Sequence, residues 1–287
     1  MMAQILRGTA GRDAPVPERP ELHLSGPRLR QALESLIAGS EEQGGVERFV
    51  DALKLKSVAF GDAFAGGAAG LKPAVFAELC ALMPSVRRRI GPYRDRKGFA
   101  TLCTAIGALL DGMADTATAD ARLAAFENAF PRDREHRWVR DLAAELLHTL
   151  DPERYPAMQR WVWDAKANTG VLREIWWGDD VDHIMIDVPD SYGAFVMLRE
   201  ELSQFLTENG VFRDILQYVD LLMAHVYAGY IGEQGGQYLR TDFATPEDPM
   251  LHTRRMLGLD GVGAKGRTKV GAIEGEARRL GDPGLLN

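Results

Sequence analysis

Apolar positions recur at three- and four-residue spacing through most of the chain, and that period predicts a stack of amphipathic helices. Leu29, Leu33, Leu36 and Ile37 form a first stripe behind Ser25-Gly26-Pro27, and Val46, Phe49, Val50 and Leu53 form a second. A glycine hinge, Gly66 to Gly70, separates these from a helix that Pro73 opens and that carries Phe76, Leu79, Leu82 and Met83. Phe99, Leu102, Ile106, Leu109, Leu110 and Met113 lie in a segment apolar on nearly every side, which predicts a central helix. Further stripes cover 118–129, 137–150 and 154–166.

Only His183 to Val188 alternates with the period of a strand, and one strand makes no sheet. Asp190-Ser191 then caps a helix bearing Phe195, Val196, Leu198, Leu202, Phe205 and Leu206, which Asn209-Gly210 ends. The next helix follows at once, so the two should form an antiparallel hairpin. It runs from Val211 to Ile231, with Phe212, Ile215, Leu216, Val219, Leu222, Val226 and Tyr230 on its core side. The expected fold is all-α: an irregular multi-helix array of residues 27–240 with at most one short strand or hairpin. An extended arm (1–26) precedes it and a glycine-rich arm (241–287) follows.

Charge sharpens that division. The chain of 287 residues carries a net −7, and both arms are neutral, so the whole surplus lies on the core. Such a molecule is repelled on average by phosphate backbones, which disfavours nucleic acid as a partner. Its two cysteines, Cys80 and Cys103, sit in apolar stripes and read as buried thiols. The first twenty residues lack the apolar stretch of a signal peptide, and the longest uncharged run, Gly98 to Leu110, is too short to span a bilayer. A cytoplasmic protein without a membrane partner is the expectation.

Most candidate chemistry dissolves on inspection. GVGAKGRT (Gly261 to Thr268) spells GxGxxG and nearly a P-loop, but no strand precedes it and only 19 residues follow. Glu145 and His148 have the ExxH spacing of di-iron bundles, without the second ExxH and opposing carboxylates that such a site needs. At about 100° per residue, Asp141, Glu145 and His148 fall opposite the apolar stripe and are expected on a solvated face. The acidic stretch Gly178 to His183 lacks calcium-loop spacing and reads as a turn. Neither a metal site nor a cofactor is expected.

Three features remain. All five tryptophans fall between Trp138 and Trp177, forming either a core layer or the lining of a pocket or interface, to which Trp161, Trp163, Trp176 and Trp177 are the candidates. A basic cluster, Arg87, Arg88, Arg89, Arg94, Arg96 and Lys97, offers a site for an anion. On the helix from Val211, a second face with Asp214, Tyr218, Leu221 and His225 predicts contact on two sides, and His225 is the candidate acid–base group.

The segment LLHTLDPERYPAMQRWVWD, 19 residues from Leu146, resembles helical DNA-modification and restriction-associated proteins in which a helix ends at a proline–aromatic–proline element. It lacks their polar signature after the proline, and no function carries over. The sequence leads to a helical accessory or assembly subunit of a larger cytosolic complex, without a catalytic site of its own, that binds a partner protein or itself through its arms and the two-faced helix from Val211. The alternatives are an enzyme or small-molecule binder with a pocket in region 138–230, and a nucleic-acid-associated protein using the basic cluster 87–97.

Overall fold

Helix α1 (Gly26–Glu41) starts where Pro27 occupies the first turn, a place where its missing N–H costs nothing. In the computed structural model, which describes residues 21–178, 183–236 and 250–260, Leu29, Leu33 and Leu36 are buried as expected, while Ile37 lies at the stripe's edge, half exposed. Gly44 and Gly45, both at positive φ, turn the chain into α2 (Val46–Phe64). Beyond the 66–70 hinge, α3 (Pro73–Ala81) buries Phe76, Leu79 and Cys80. Asp95 caps α4 (Arg96–Leu110) by accepting from the Gly98 N–H at 2.6 Å. A Cβ at Gly98 would meet Pro92 O at 2.8 Å, so the cap closes only over glycine.

The central helix is not α4, whose Thr101, Thr104 and Ala108 are exposed. That position belongs to α6 (Trp138–Leu150), which follows α5 (Ala119–Asn128) and is buried along almost its whole length. Residues 154–166 do not form the expected helix. Pro156 removes an N–H and drives Tyr155 out of helical geometry, leaving turns that lead to α7 (Val171–Glu174).

His183 to Val188 does not become a strand either. Its alternation is real, since Ile186 and Val188 are buried while Met185 and Asp187 are exposed. The missing neighbour is replaced by one side chain: Asn168 donates to Ile184 O at 2.9 Å and accepts from the Ile186 N–H at 3.1 Å. Among the described residues there are ten helices and no strand, only the isolated bridges Leu24–Trp176 and Asp164–Thr169.

Ser191 caps α8 (Tyr192–Glu208), which ends at Asn209 and Gly210 as expected. Its partner α9 (Ile215–Gly236) starts four residues later than Val211, after Asp214 at φ +54°, and Phe212 is exposed instead of contributing to the core. Helices α1, α2, α7, α8 and α10 pack around α9.

Helix α10 (Leu251–Met256) lies inside the stretch assigned to the C-terminal arm, yet Met250, Thr253, Leu257 and Leu259 are buried. Gly258, at φ +74°, lies so close to Leu82 that any Cβ would overlap its carbonyl. The core therefore extends at least to Asp260. Similarly, His23 to Ser25 of the N-terminal arm hydrogen-bond along Ile175 to Trp177. Residues 1–20, 179–182, 237–249 and 261–287, which include GVGAKGRT and most of the acidic stretch, lie outside the described residues.

Candidate functional site

The face of α6 that rotation alone assigns to solvent is buried. Asp141 and Glu145 are less than a tenth exposed and His148 is nearly enclosed. Each has a partner from elsewhere in the chain. Asp141 accepts from Arg160, through its guanidinium at 2.6 Å and its backbone N–H at 3.0 Å. Glu145 pairs with Lys56 of α2 and accepts from Gln159 Nε2 at 2.6 Å, while Lys56 also donates to Leu257 O at 2.8 Å. Charges leave water only when other charges and hydrogen bonds replace it, and here they do.

His148 lies between two acceptors, Tyr155 O and Asp220 Oδ2, both at 2.9 Å. A backbone carbonyl and a carboxylate both call for N–H donors, so both ring nitrogens carry protons. Burial pushes the imidazole pKa down, but the charge and hydrogen bond of Asp220, the Tyr155 carbonyl and the charge of Glu145 together hold it above its usual value. Lys56, Glu145, His148, Gln159, Trp161 and Asp220 surround a cavity of about 30 Å³. Gln159 Oε1 is buried there with no hydrogen-bond partner from the protein, and the space fits a water that would satisfy it.

On α9 the second face, which the sequence leaves open to a partner, is covered from within the chain. Tyr218 donates to Glu47 at 3.1 Å, Asp214 pairs with Lys54 at 2.8 Å, and Leu221 is fully buried. His225 lies between Ser35 Oγ of α1 and Thr253 Oγ1 of α10, each at 3.0 Å. Burial alone acts on its pKa and pushes it below the usual value.

The tryptophans do not converge. Trp138 packs edge-on against Tyr93, and Trp161 borders the polar cavity beside Tyr227. Trp163 is enclosed, its indole donating to Val188 O at 2.8 Å, and Trp176 is buried edge-on against His23. Trp177 is 62% exposed, although its backbone N–H is fixed to His23 O at 2.7 Å. Across residues 179–182, Ile184 and Met185 are 40% and 72% exposed, with the Ile184 carbonyl held by Asn168 and Arg173.

The basic cluster also divides. Arg87 is engaged bidentately by Asp260, at 2.7 and 3.2 Å. Arg88, Arg89 and Arg94 are exposed, and Arg96 and Lys97 occupy the first turn of α4, where cations oppose the helix dipole. Sequence reasoning missed Lys56, Gln159, Asp220 and Arg255. Two of these left a trace: Lys56 falls on the buried stripe between Leu53 and Phe60, and Asp220 interrupts an otherwise apolar run from Val219 to Ala224. Gln159 lies in turns, and Arg255 meets Arg87 only through tertiary structure.

Among the described residues no helix is long and apolar enough to cross a membrane, and no group of three or more His, Cys, Asp or Glu is arranged to hold a metal ion. The chain matches no known family, no curated protein and no solved structure.

Proposed function

We propose that the protein is a helical accessory subunit of a larger cytoplasmic assembly and binds a partner protein through the edge that bears Trp177, Ile184 and Met185. The observation that carries this reading is the exposure of three large apolar side chains on backbone that is itself tied down. Trp177 is anchored through His23, and Ile184 through Asn168 and Arg173. Rigid, exposed aromatic and Met side chains are what interface centres are made of. The complementary surface on the partner is therefore apolar at its centre. The polar cavity at α6 favours this reading over catalysis, because it holds about one water and its ion pairs face one another.

The test is Trp177→Ser with Met185→Ser in the full chain, expressed in its own cells. Native mass spectrometry should show the wild type in a stable complex and the double variant outside it, with circular dichroism unchanged. A wild-type chain that is monomeric in the native lysate, or a complex indifferent to both changes, would refute the reading.

A further inference from the structure

The end of α10 and the turn after α3 meet at a cleft of about 480 Å³, whose described walls are Arg87, Arg88, Arg255 and Asp260. Arg87 is mostly buried, and its planar fork grips the Asp260 carboxylate with two parallel hydrogen bonds. That geometry is the one by which guanidinium groups recognise any planar or tetrahedral oxyanion. Arg88 and Arg255 stand exposed at the same cleft, and neither has a carboxylate partner among the described residues. Among the described residues, three guanidinium groups against one carboxylate leave a surplus of two positive charges, on a chain whose net charge is −7.

We infer that this cleft is a binding site for a small phosphate, either inorganic phosphate or a phosphate monoester. Independently of the partner-binding reading, two features select that ligand. A phosphate group carries about −1.5 to −2 at neutral pH, which matches the surplus, whereas a carboxylate leaves half of it uncompensated. The volume suits a small molecule, and the other basic residues of the cluster (Arg89, Arg94, Arg96 and Lys97) do not border the cleft, so among the described residues no continuous track for a nucleic-acid backbone runs through it. Asp260 already fills one side of the Arg87 fork. It acts as an internal anion that a ligand supplements through Arg88 and Arg255, and it weakens binding by its own charge.

The site is solid enough to preserve its geometry. Gly258 is wedged against Leu82, Leu257 O is held by Lys56, and Leu257 and Leu259 are buried, so Arg255 and Asp260 are presented from a fixed segment.

Isothermal titration calorimetry of the full chain in chloride buffer should show saturable binding of inorganic phosphate and of glycerol phosphate, and weaker binding of acetate. Arg88→Ser with Arg255→Ser changes two exposed side chains, so the thermal midpoint should not move while phosphate affinity falls at least about tenfold. Asp260→Asn should tighten phosphate binding by removing the competing charge. Failure of either phosphate to saturate by about 10 mM, affinity untouched by the double substitution, or acetate binding as well as phosphate would overturn the inference. So would a single-stranded oligonucleotide that binds through these arginines when the phosphate monoester does not.

Discussion

Helices α6 and α9 each carry a polar stripe beside an apolar one, and each buries a histidine in it, yet the histidines are held in opposite charge states. His148 has an acceptor at each ring nitrogen, one of them the α9 carboxylate of Asp220. His225 has a hydroxyl at each, and a hydroxyl can donate or accept as the neutral ring requires. The surroundings follow suit: the α6 stripe is lined with ion pairs, the α9 stripe with neutral and half-exposed groups. A polar stripe on a helix thus says that polar partners exist, but not whether they are water, hydroxyls or opposite charges.

The sharpest way to break the contrast is Glu145→Ala. It strands the Lys56 ammonium in the interior with only Leu257 O, and removing one member of a buried ion pair costs about 3–5 kcal/mol. For a chain of this size that corresponds to a fall of about 10 °C in thermal midpoint. Replacing both, Glu145→Leu with Lys56→Met, should recover much of the loss. A single substitution costing under about 1 kcal/mol in urea unfolding would show that α6 faces water after all.

The two histidines make smaller, opposite predictions. The folded pKa of His148 is raised, so its stabilisation is complete below the ordinary histidine value of about 6.5 and fades as pH climbs through the raised one. The folded pKa of His225 is lowered, so its stabilisation is complete above about 6.5 and fades as pH falls through the depressed one. Hydrogen bonds to charged groups contribute about 1.5–3 kcal/mol and neutral ones about 1 kcal/mol, so the effect at His148 should be larger. Urea unfolding from pH 5 to 9 is the measurement: His148→Gln should flatten the alkaline decline and His225→Gln the acid one. If the two substitutions exchanged sides, the assigned charge states would be wrong.

Those helices also show what was legible in the sequence. The two-sided contact of α9 could be read because Tyr218, Leu221 and His225 share a face with little reason to meet water, and four helix limits followed from Pro27, Pro73, Ser191 and Gly210. The burial of α6 could not, because Asp141, Glu145 and His148 look solvated to a helical wheel, and what buries them comes from Lys56, Arg160 and Asp220. Their separations of 89, 19 and 72 residues carry no local signal. The same reasoning explains the failed strand, where Asn168 supplies from a loop the hydrogen bonds of a neighbouring strand. It explains the arginine cleft too: Arg87 was visible as part of a basic run, but Arg255 reaches it only because Gly258 allows the chain to lie on Leu82.

The smallest effect lies at the rim of α9, where Asp214 meets Lys54 at 2.8 Å with both side chains more than two-fifths exposed. Coulomb attraction there is screened by water, and holding two long side chains in one geometry costs entropy, so Lys54→Ala should lower stability by about 0–1 kcal/mol. Half-molar salt should erase what difference there is, whereas the Glu145→Ala deficit inside α6 should survive it, since ions do not reach that pair. Asp214 itself is held at positive φ, and Asp214→Gly relieves that conformation while deleting the same ion pair. If Asp214→Gly proves neutral or stabilising while Lys54→Ala costs a few tenths of a kcal/mol, the backbone turn before α9, not the charge, is what the aspartate opposes. A loss above about 2 kcal/mol from Lys54→Ala would instead place this pair with the buried ones and erase the difference between the two helices.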